Sequence, residues 1–354
     1  MKRKAEIYQE GNPFQKQAYK QMSDHLIQKG FTQFGASSKG NLYCHLLPPE
    51  STVENFLFDE GIYTAAATRF EDHKAGDWDR ARLNTAASQP CCFNLFVPLQ
   101  QDLALAGRLF SPIMGISVAI DHIEIEFTPN TPRLDLLPGF ERQADESIGD
   151  QASDPKQNQG TDADIAVFYR SNGTKGVILI EFKYIEEEFN LCGSYKIKAK
   201  NDMLCTSPDF YLHMIEEQHR VKGRMACGYL KYNNWPLTQS SELMDITKIR
   251  ALQACPFRFS LNQLWRNILL AESVKKARDL DDCHFWVLAP DGNDKLWDNH
   301  KEDVEERLRS ILTSKGQEKF RKLTLEAVVD HLTELDPSPT QQNWLAAFQK
   351  KYFF

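Results

Sequence analysis

Apolar positions recur at helical spacing first between residues 12 and 30, where Phe14, Tyr19, Met22, Leu26 and Ile27 lie near one face and Gly30 supplies a stop. This predicts an amphipathic helix that serves packing. From Gly30 to about Gly61 no period is sustained, and Glu71 to Arg82 is strongly charged around Trp78. Helical spacing returns between Leu99 and Phe110 through Leu103, Leu105 and Leu109. From Ile116 to Phe127 the period shortens to two, most cleanly in His122-Ile-Glu-Ile-Glu-Phe127, the pattern of a first strand in a half-exposed sheet. Thr128 to Gly160 is rich in Pro, Asp, Gln and Gly without a period and reads as a long surface loop.

Residues 163–170 and 177–184 read as two strands joined around Asn172-Gly173. A type I′ hairpin turn needs φ > 0 at both central positions, which Asn-Gly accepts. With those residues as the turn, Ser171 pairs with Thr174, and the same register sets Asp164 opposite Glu181 and Asp162 opposite Lys183. Side chains alternate along a strand, so Glu181 and Lys183 share a face while Phe182 points to the other. The run Val177-Ile-Leu-Ile180 is apolar on both faces, as in a buried central strand. Charges that follow so dry a run need compensation. A divalent metal between Asp164 and Glu181 would supply it, because hard cations such as Mg²⁺ take carboxylate oxygens and fill their remaining positions with water and substrate phosphate. The plainer reading is an exposed cross-strand ion pair, worth about 0.2–1 kcal/mol.

Downstream, Phe210 to Gln218 predicts a helix, and a stronger one runs from about Cys255 to Ala271. There Ser260 is the expected N-cap, and Leu261, Leu264, Trp265, Ile268 and Leu269 form the apolar face. Asn262, Gln263 and Arg266 project from the other side, at spacings that let them act together. Cys283-His-Phe-Trp-Val-Leu-Ala-Pro290 suits a last core strand, and beyond Asp291 helical patterns occupy about 303–312, 324–335 and 339–352. The expected fold is α/β, a mixed central sheet flanked by helices over residues 95–290. A helical, loop-rich extension precedes it over 1–94, and a helical subdomain for packing or dimerisation follows over 291–354.

Composition adds limits. The 354 residues are 42% hydrophobic with a formal net charge of -7, so any nucleic-acid-binding surface has to be a local patch. No signal peptide and no membrane-length apolar run is found, which leads to a cytoplasmic expectation. The eight cysteines lack C-x-x-C spacing and are expected to be reduced, buried thiols. No Gly-rich phosphate loop of the ATPase kind occurs.

An Asp on one strand and Glu-x-Lys at the end of the next resembles the PD-(D/E)XK nuclease superfamily, whose core is restriction-endonuclease-like; the matching residues are Asp164, Glu181 and Lys183. The Pro of the superfamily name is missing before Asp164. The resemblance implies hydrolysis of DNA phosphodiesters with Mg²⁺, for which Mn²⁺ can substitute. Asp164 and Glu181 would hold the metal, and Lys183 would orient the attacking water and offset developing negative charge. Asn84 to Leu99, with Ser88-Gln89 ahead of Phe93-Asn94, more loosely resembles a block of one group of bacterial restriction endonucleases. Ser88, Gln89 and Asn94 would then reach the site or a phosphate, although a capped turn is the favoured reading. The superfamily sometimes carries a further carboxylate on the helix before the first strand, for which Asp102 is the candidate. It also often turns a Gln towards the site from the helix after Glu-x-Lys; Gln263 and Arg266 match, against an ordinary polar helix face. Asp162 joins Gln89, Gln263 and Arg266 as a candidate to contact substrate or support the ligands. Tyr195-Lys-Ile-Lys-Ala-Lys200, with Arg220, Lys222 and Arg224, is the candidate phosphate-contacting strip, a solvated surface being the alternative. Some members hold an iron–sulfur cluster on cysteines, but the spacing of Cys192, Cys205, Cys227 and Cys255 is too wide to indicate one.

The reading is therefore a Mg²⁺-dependent deoxyribonuclease of bacterial restriction or phage defence. Its rival is a catalytically silent module on the same fold that binds DNA or protein. Intact Asp, Glu and Lys argue against a dead site. Cutting both strands of a duplex needs two sites, which admits a homodimer, and an activating partner protein is a second class of partner.

Overall fold

The computed structural model describes residues 5–57, 59–73, 77–129, 137–138, 161–193, 195, 204–208, 210–211, 227, 232–299 and 302–354. Helix α1 (Pro13–Gln28) starts where the pattern places it. Asn12 accepts the Gln15 N–H, Gln15 returns a bond to the Asn12 N–H, and Pro13 takes the first helical position, so the orphan donors of the first turn are met. Helices α2 (Asp59–His73), α3 (Ser88–Gln101) and α4 (Leu103–Met114) lead into strand β1 (Ala119–Phe127).

The hairpin is formed by β2 (Ala163–Ser171) and β3 (Thr174–Phe182), with Ser171 opposite Thr174 and Ile165 opposite Ile180. Asn172 and Gly173 sit at φ of 49° and 84°, the left-handed pair the turn requires. Helix α5 (Leu261–Ala277) crosses over to β4 (Asp282–Ala289), which runs parallel to β3. A last strand, β5 (Phe320–Thr324), lies parallel to β4 and is followed by α6 (Leu325–Glu334) and α7 (Pro339–Tyr352). The result is a mixed five-stranded sheet in the order β1-β2-β3-β4-β5 with helices on both faces.

Alternation along the strands divides the core into two layers. Ile165, Val167, Ile178, Ile180, Trp286 and Leu288 pack under α3, α4, α6 and α7, where Ala18 and Met22 of α1 join them. Ala166, Phe168, Val177, Leu179, Phe285 and Val287 pack under α5. Asp164 and Glu181 have the parity of this second layer. Phe182 has the parity of the first and meets Phe96 there, their ring centroids 6.5 Å apart.

Some local expectations change. The helix expected over Leu99–Phe110 is two helices, because Asp102 caps α4 by accepting the Leu105 N–H at 2.9 Å. The block from Ser88 to Leu99 is helical throughout, so Ser88, Gln89 and Asn94 form no capped turn. Ser260 does not cap α5: its own backbone is already helical and its hydroxyl makes no cap bond. β5 was not anticipated, since Phe-Arg-Lys-Leu-Thr is short and charged, as edge strands commonly are. Most of 128–160 and 210–218 lies outside the described residues. Among the described residues no helix is long and apolar enough to cross a membrane.

Candidate active site

β3 is exposed at Thr174 and Lys175 and buried from Gly176 to its end at Phe182. Glu181 is 2% exposed and Lys183 is 9% exposed, and the Lys183 ammonium lies 2.6 Å from Glu181 Oε1. Burial disfavours the charge on Lys183, yet Glu181, Asp164 and Glu186 outweigh burial and hold the ammonium above its usual pKa. Asp164 comes from the neighbouring strand and accepts the Phe182 N–H through Oδ2 at 2.7 Å. Burial first, and then repulsion from Glu181 and Glu126, push its carboxyl well above the usual range, while Lys183 and the Phe182 bond oppose the rise. Asp164, Glu181 and Lys183 thus form one electrostatic unit at the open end of the hairpin.

The crossover helix completes the grip on Glu181. Gln263 donates to Glu181 Oε1 at 2.6 Å, and Asn267, one turn later on α5, donates to Oε2 at 2.5 Å. Gln263 is positioned in turn by the Asn190 N–H, which donates to its Oε1 at 3.0 Å. Arg266 turns elsewhere, donating to the Thr161 hydroxyl at 3.1 Å. Asp162 is exposed as a residue, yet partial burial of its carboxyl raises its pKa against a hydrogen bond with Thr128 and the charges of Arg266 and Arg69.

Glu126 was not singled out from the sequence, and the structure brings it here. It sits on β1 at a φ of 52°, a backbone state that costs a non-glycine residue about 1–3 kcal/mol. The kink breaks strand alternation: Ile125 lies in the first core layer and Phe127 in the second. Gln89 of α3 donates to Glu126 Oε1 at 3.1 Å, and Arg69 of α2 donates to its carbonyl at 2.6 Å. Burial, reinforced by Glu181 and Asp162, raises the Glu126 carboxyl to about 7 in spite of the Gln89 bond. Asn267 was also missed. It shares the buried side of α5 and reads as a polar interruption of an apolar face.

The donor set suits a hard cation. Asp164, Glu181 and Glu126 offer carboxylate oxygens whose mutual repulsion a divalent ion would relieve. Among the described residues no group of three His, Cys, Asp or Glu side chains already converges on a metal-sized point. Mg²⁺ does not need one, because it is commonly held by one or two carboxylates with water and phosphate completing the octahedron.

Other candidates lie apart. Asp102 is occupied by its cap and by Gln341, which donates to it at 2.9 Å. Asn94 is fully buried, accepting from the Leu57 N–H at 2.6 Å and donating to the Tyr352 hydroxyl at 2.7 Å, so its part is structural. Tyr195 is described, but Lys196 to Lys200, Arg220, Lys222 and Arg224 lie outside the described residues.

No curated protein and no solved structure matches the chain. A family match carries the comparison instead: the sequence model described as restriction endonuclease associating with ARP aligns with residues 15–353, which takes in every strand of the sheet and every side chain of the site. The chain belongs to that family.

Proposed function

We propose that the chain is a metal-dependent deoxyribonuclease of the PD-(D/E)XK kind, with Asp164 and Glu181 as ligands of Mg²⁺ or Mn²⁺ and Lys183 as the catalytic cation. The observation that carries this reading is the placement of Lys183 2.6 Å from Glu181, on the face that Asp164 shares. When bound, the metal would lower the pKa of a coordinated water and offset charge on the phosphate. Gln263 and Asn267 fix the rotamer of Glu181, so its oxygens are aimed before substrate arrives. Lys183 remains protonated and presents positive charge where the pentacovalent phosphorus gains negative charge. Glu126, poised near neutrality, is placed to accept the proton of the attacking water or to add an oxygen to the metal site.

The net charge of -7 gives no long-range attraction to DNA, so encounter relies on local cations and the metal. The family description names association with ARP, and we extend such a partner to this chain as its activating or targeting subunit. Restriction or phage defence in a bacterial cytoplasm, with two copies acting on the two strands, is the setting this chemistry suits.

The test is cleavage of plasmid and linear DNA with Mg²⁺ or Mn²⁺, against EDTA and the Glu181→Ala variant. Metal-dependent nicking lost in the variant supports the reading. A folded chain that binds DNA without metal and never cuts it, alone or with its partner, would favour a silent binding module.

A further inference from the structure

Ser260, Gln263 and Asn267 stand at positions i, i+3 and i+7 and so share one stripe of α5. The backbone of Ser260 is already helical, with φ of -53° and ψ of -24°, so the stripe holds to its first member. Gln263 and Asn267 both donate to Glu181. Ser260 lies on the same side, about 4.5 Å further along the axis towards the N-terminus. The residue is 3% exposed, and its hydroxyl has no hydrogen-bond partner. A hydroxyl withdrawn from water without a partner is destabilising, so it is an open position for a ligand.

The first turn of α5 lacks compensation as well. No side chain caps it and no Asp or Glu stands in it, although the helix is 17 residues long and its N-terminus carries partial positive charge. Arg258 lies just ahead, in the short turn Pro256–Arg258. That turn is fixed against α5 by Phe257, whose ring stacks on Trp265 with centroids 4.2 Å apart. The Arg258 guanidinium rests on the ring of Phe259, the residue before Ser260, 5.0 Å from its centroid, and Tyr195 holds Phe259 edge-on at 5.2 Å. The Arg258 side chain is half-buried; among the described residues it has no carboxylate partner, and its Nε is buried with no acceptor. A held guanidinium, an open hydroxyl and an uncapped helix start thus stand together, all of them able to donate.

We propose that the N-terminal turn of α5, with the Ser260 hydroxyl and the Arg258 guanidinium, is a subsite for a backbone phosphate of the DNA strand engaged at Glu181; the identity of that strand rests on the nuclease reading. A phosphate oxygen would satisfy the hydroxyl and the first-turn N–H groups, where donors and helix dipole act together. The planar fork of Arg258 can take two further oxygens. Gln263 stands between Ser260 and Asn267 on the stripe and bonds Glu181, so a phosphate held here sets the position of the strand along α5 relative to the carboxylates. The subsite also gives a chain of net charge -7 a local grip on a polyanion.

The experiment measures binding of a fluorescent DNA duplex to the full chain in EDTA, across a KCl series. Arg258→Gln should reduce the slope of log K against log salt by about 1 and weaken binding about tenfold. Ser260→Ala should weaken binding severalfold while the melting temperature of the free chain stays the same or rises, because the hydroxyl removed has no partner. Inorganic phosphate, against chloride at equal ionic strength, should raise the melting temperature of the unmutated chain and raise that of Arg258→Gln less. An unchanged slope and affinity in Arg258→Gln overturns the subsite, and so does a Ser260→Ala chain that loses melting temperature but keeps its affinity for DNA. Protection by phosphate that needs Arg258, in a chain that binds no DNA, overturns it in favour of a small phosphate ligand. No response to DNA or to phosphate overturns it outright. Cleavage with metal is read in a separate assay, so a failed subsite and a failed nuclease reading are told apart.

Discussion

Asn267 on α5 donates to Glu181 Oε2 at 2.5 Å, across 86 positions of sequence, and so ties the crossover helix to the charged end of β3. Removing this donor leaves one oxygen of a buried carboxylate unsatisfied and frees the Glu181 rotamer. Asn267→Ala is expected to reduce DNA cleavage about 10–100-fold, with weakened Mg²⁺ affinity, as loss of a ligand-orienting partner commonly does. Cleavage rates across a Mg²⁺ titration check this; an unchanged Mg²⁺ midpoint together with an unchanged rate would show that the bond has no part in the site.

Lys183 supplies the positive charge that compensates Glu181, and breaking a buried pair from one side is expensive. In EDTA, Lys183→Met should be destabilised by about 3 kcal/mol, because Glu181 is left with an uncompensated charge. Added Mg²⁺ should narrow that deficit, since the ion takes over the compensation. Thermal unfolding of both proteins, with and without Mg²⁺, is the measurement. A deficit that Mg²⁺ leaves untouched would speak against a metal beside Glu181.

Glu126 has a folded-state pKa of about 7, above its ordinary value of 4.5. A carboxyl raised in this way lends stability that is fully present below about pH 4.5 and is lost as pH rises through about 7. In EDTA, Glu126→Gln should therefore match the wild type near pH 5 and exceed its stability at pH 8 by on the order of 1–3 kcal/mol. Urea unfolding at the two pH values tests the sign. Cleavage by the variant should fall even as its stability rises, which separates a strained functional group from an ordinary structural one.

Lys351, fully buried in α7, offers a second titration of opposite kind. Its ammonium donates to the Asn55 carbonyl and, at 3.0 Å, to Asn55 Oδ1. Burial lowers its pKa from 10.5 to about 7. Stability from this group is fully present above about pH 10.5 and is lost as pH falls through about 7. Lys351→Met should raise the melting temperature more at pH 6 than at pH 9, the difference corresponding to about 1–3 kcal/mol, and the gain should vanish only above about pH 10.5. Equal shifts at both pH values would mean that the lysine is charged in the folded chain throughout.

Local chemistry made the hairpin legible in the sequence. Asn172-Gly173 accepts the left-handed turn, and the period of two then assigns Glu181 and Phe182 to opposite faces without reference to the remaining chain. Gln263 was reached through the family resemblance, since its helix face by itself reads equally as ordinary polar surface beside an apolar stripe. The family-level resemblance rested on the same few residues. Long-range packing decided the rest. Glu126 reads in isolation as one more outward residue of an alternating strand, and only the kink at that position, with α2 and α3 packed against it, brings it to Asp164 and Glu181. Asn267 needs the crossing of α5 over β3 before its place on an apolar face has a purpose. A period describes neighbours along the chain, whereas a buried cluster of charges is assembled by contacts between segments far apart in it.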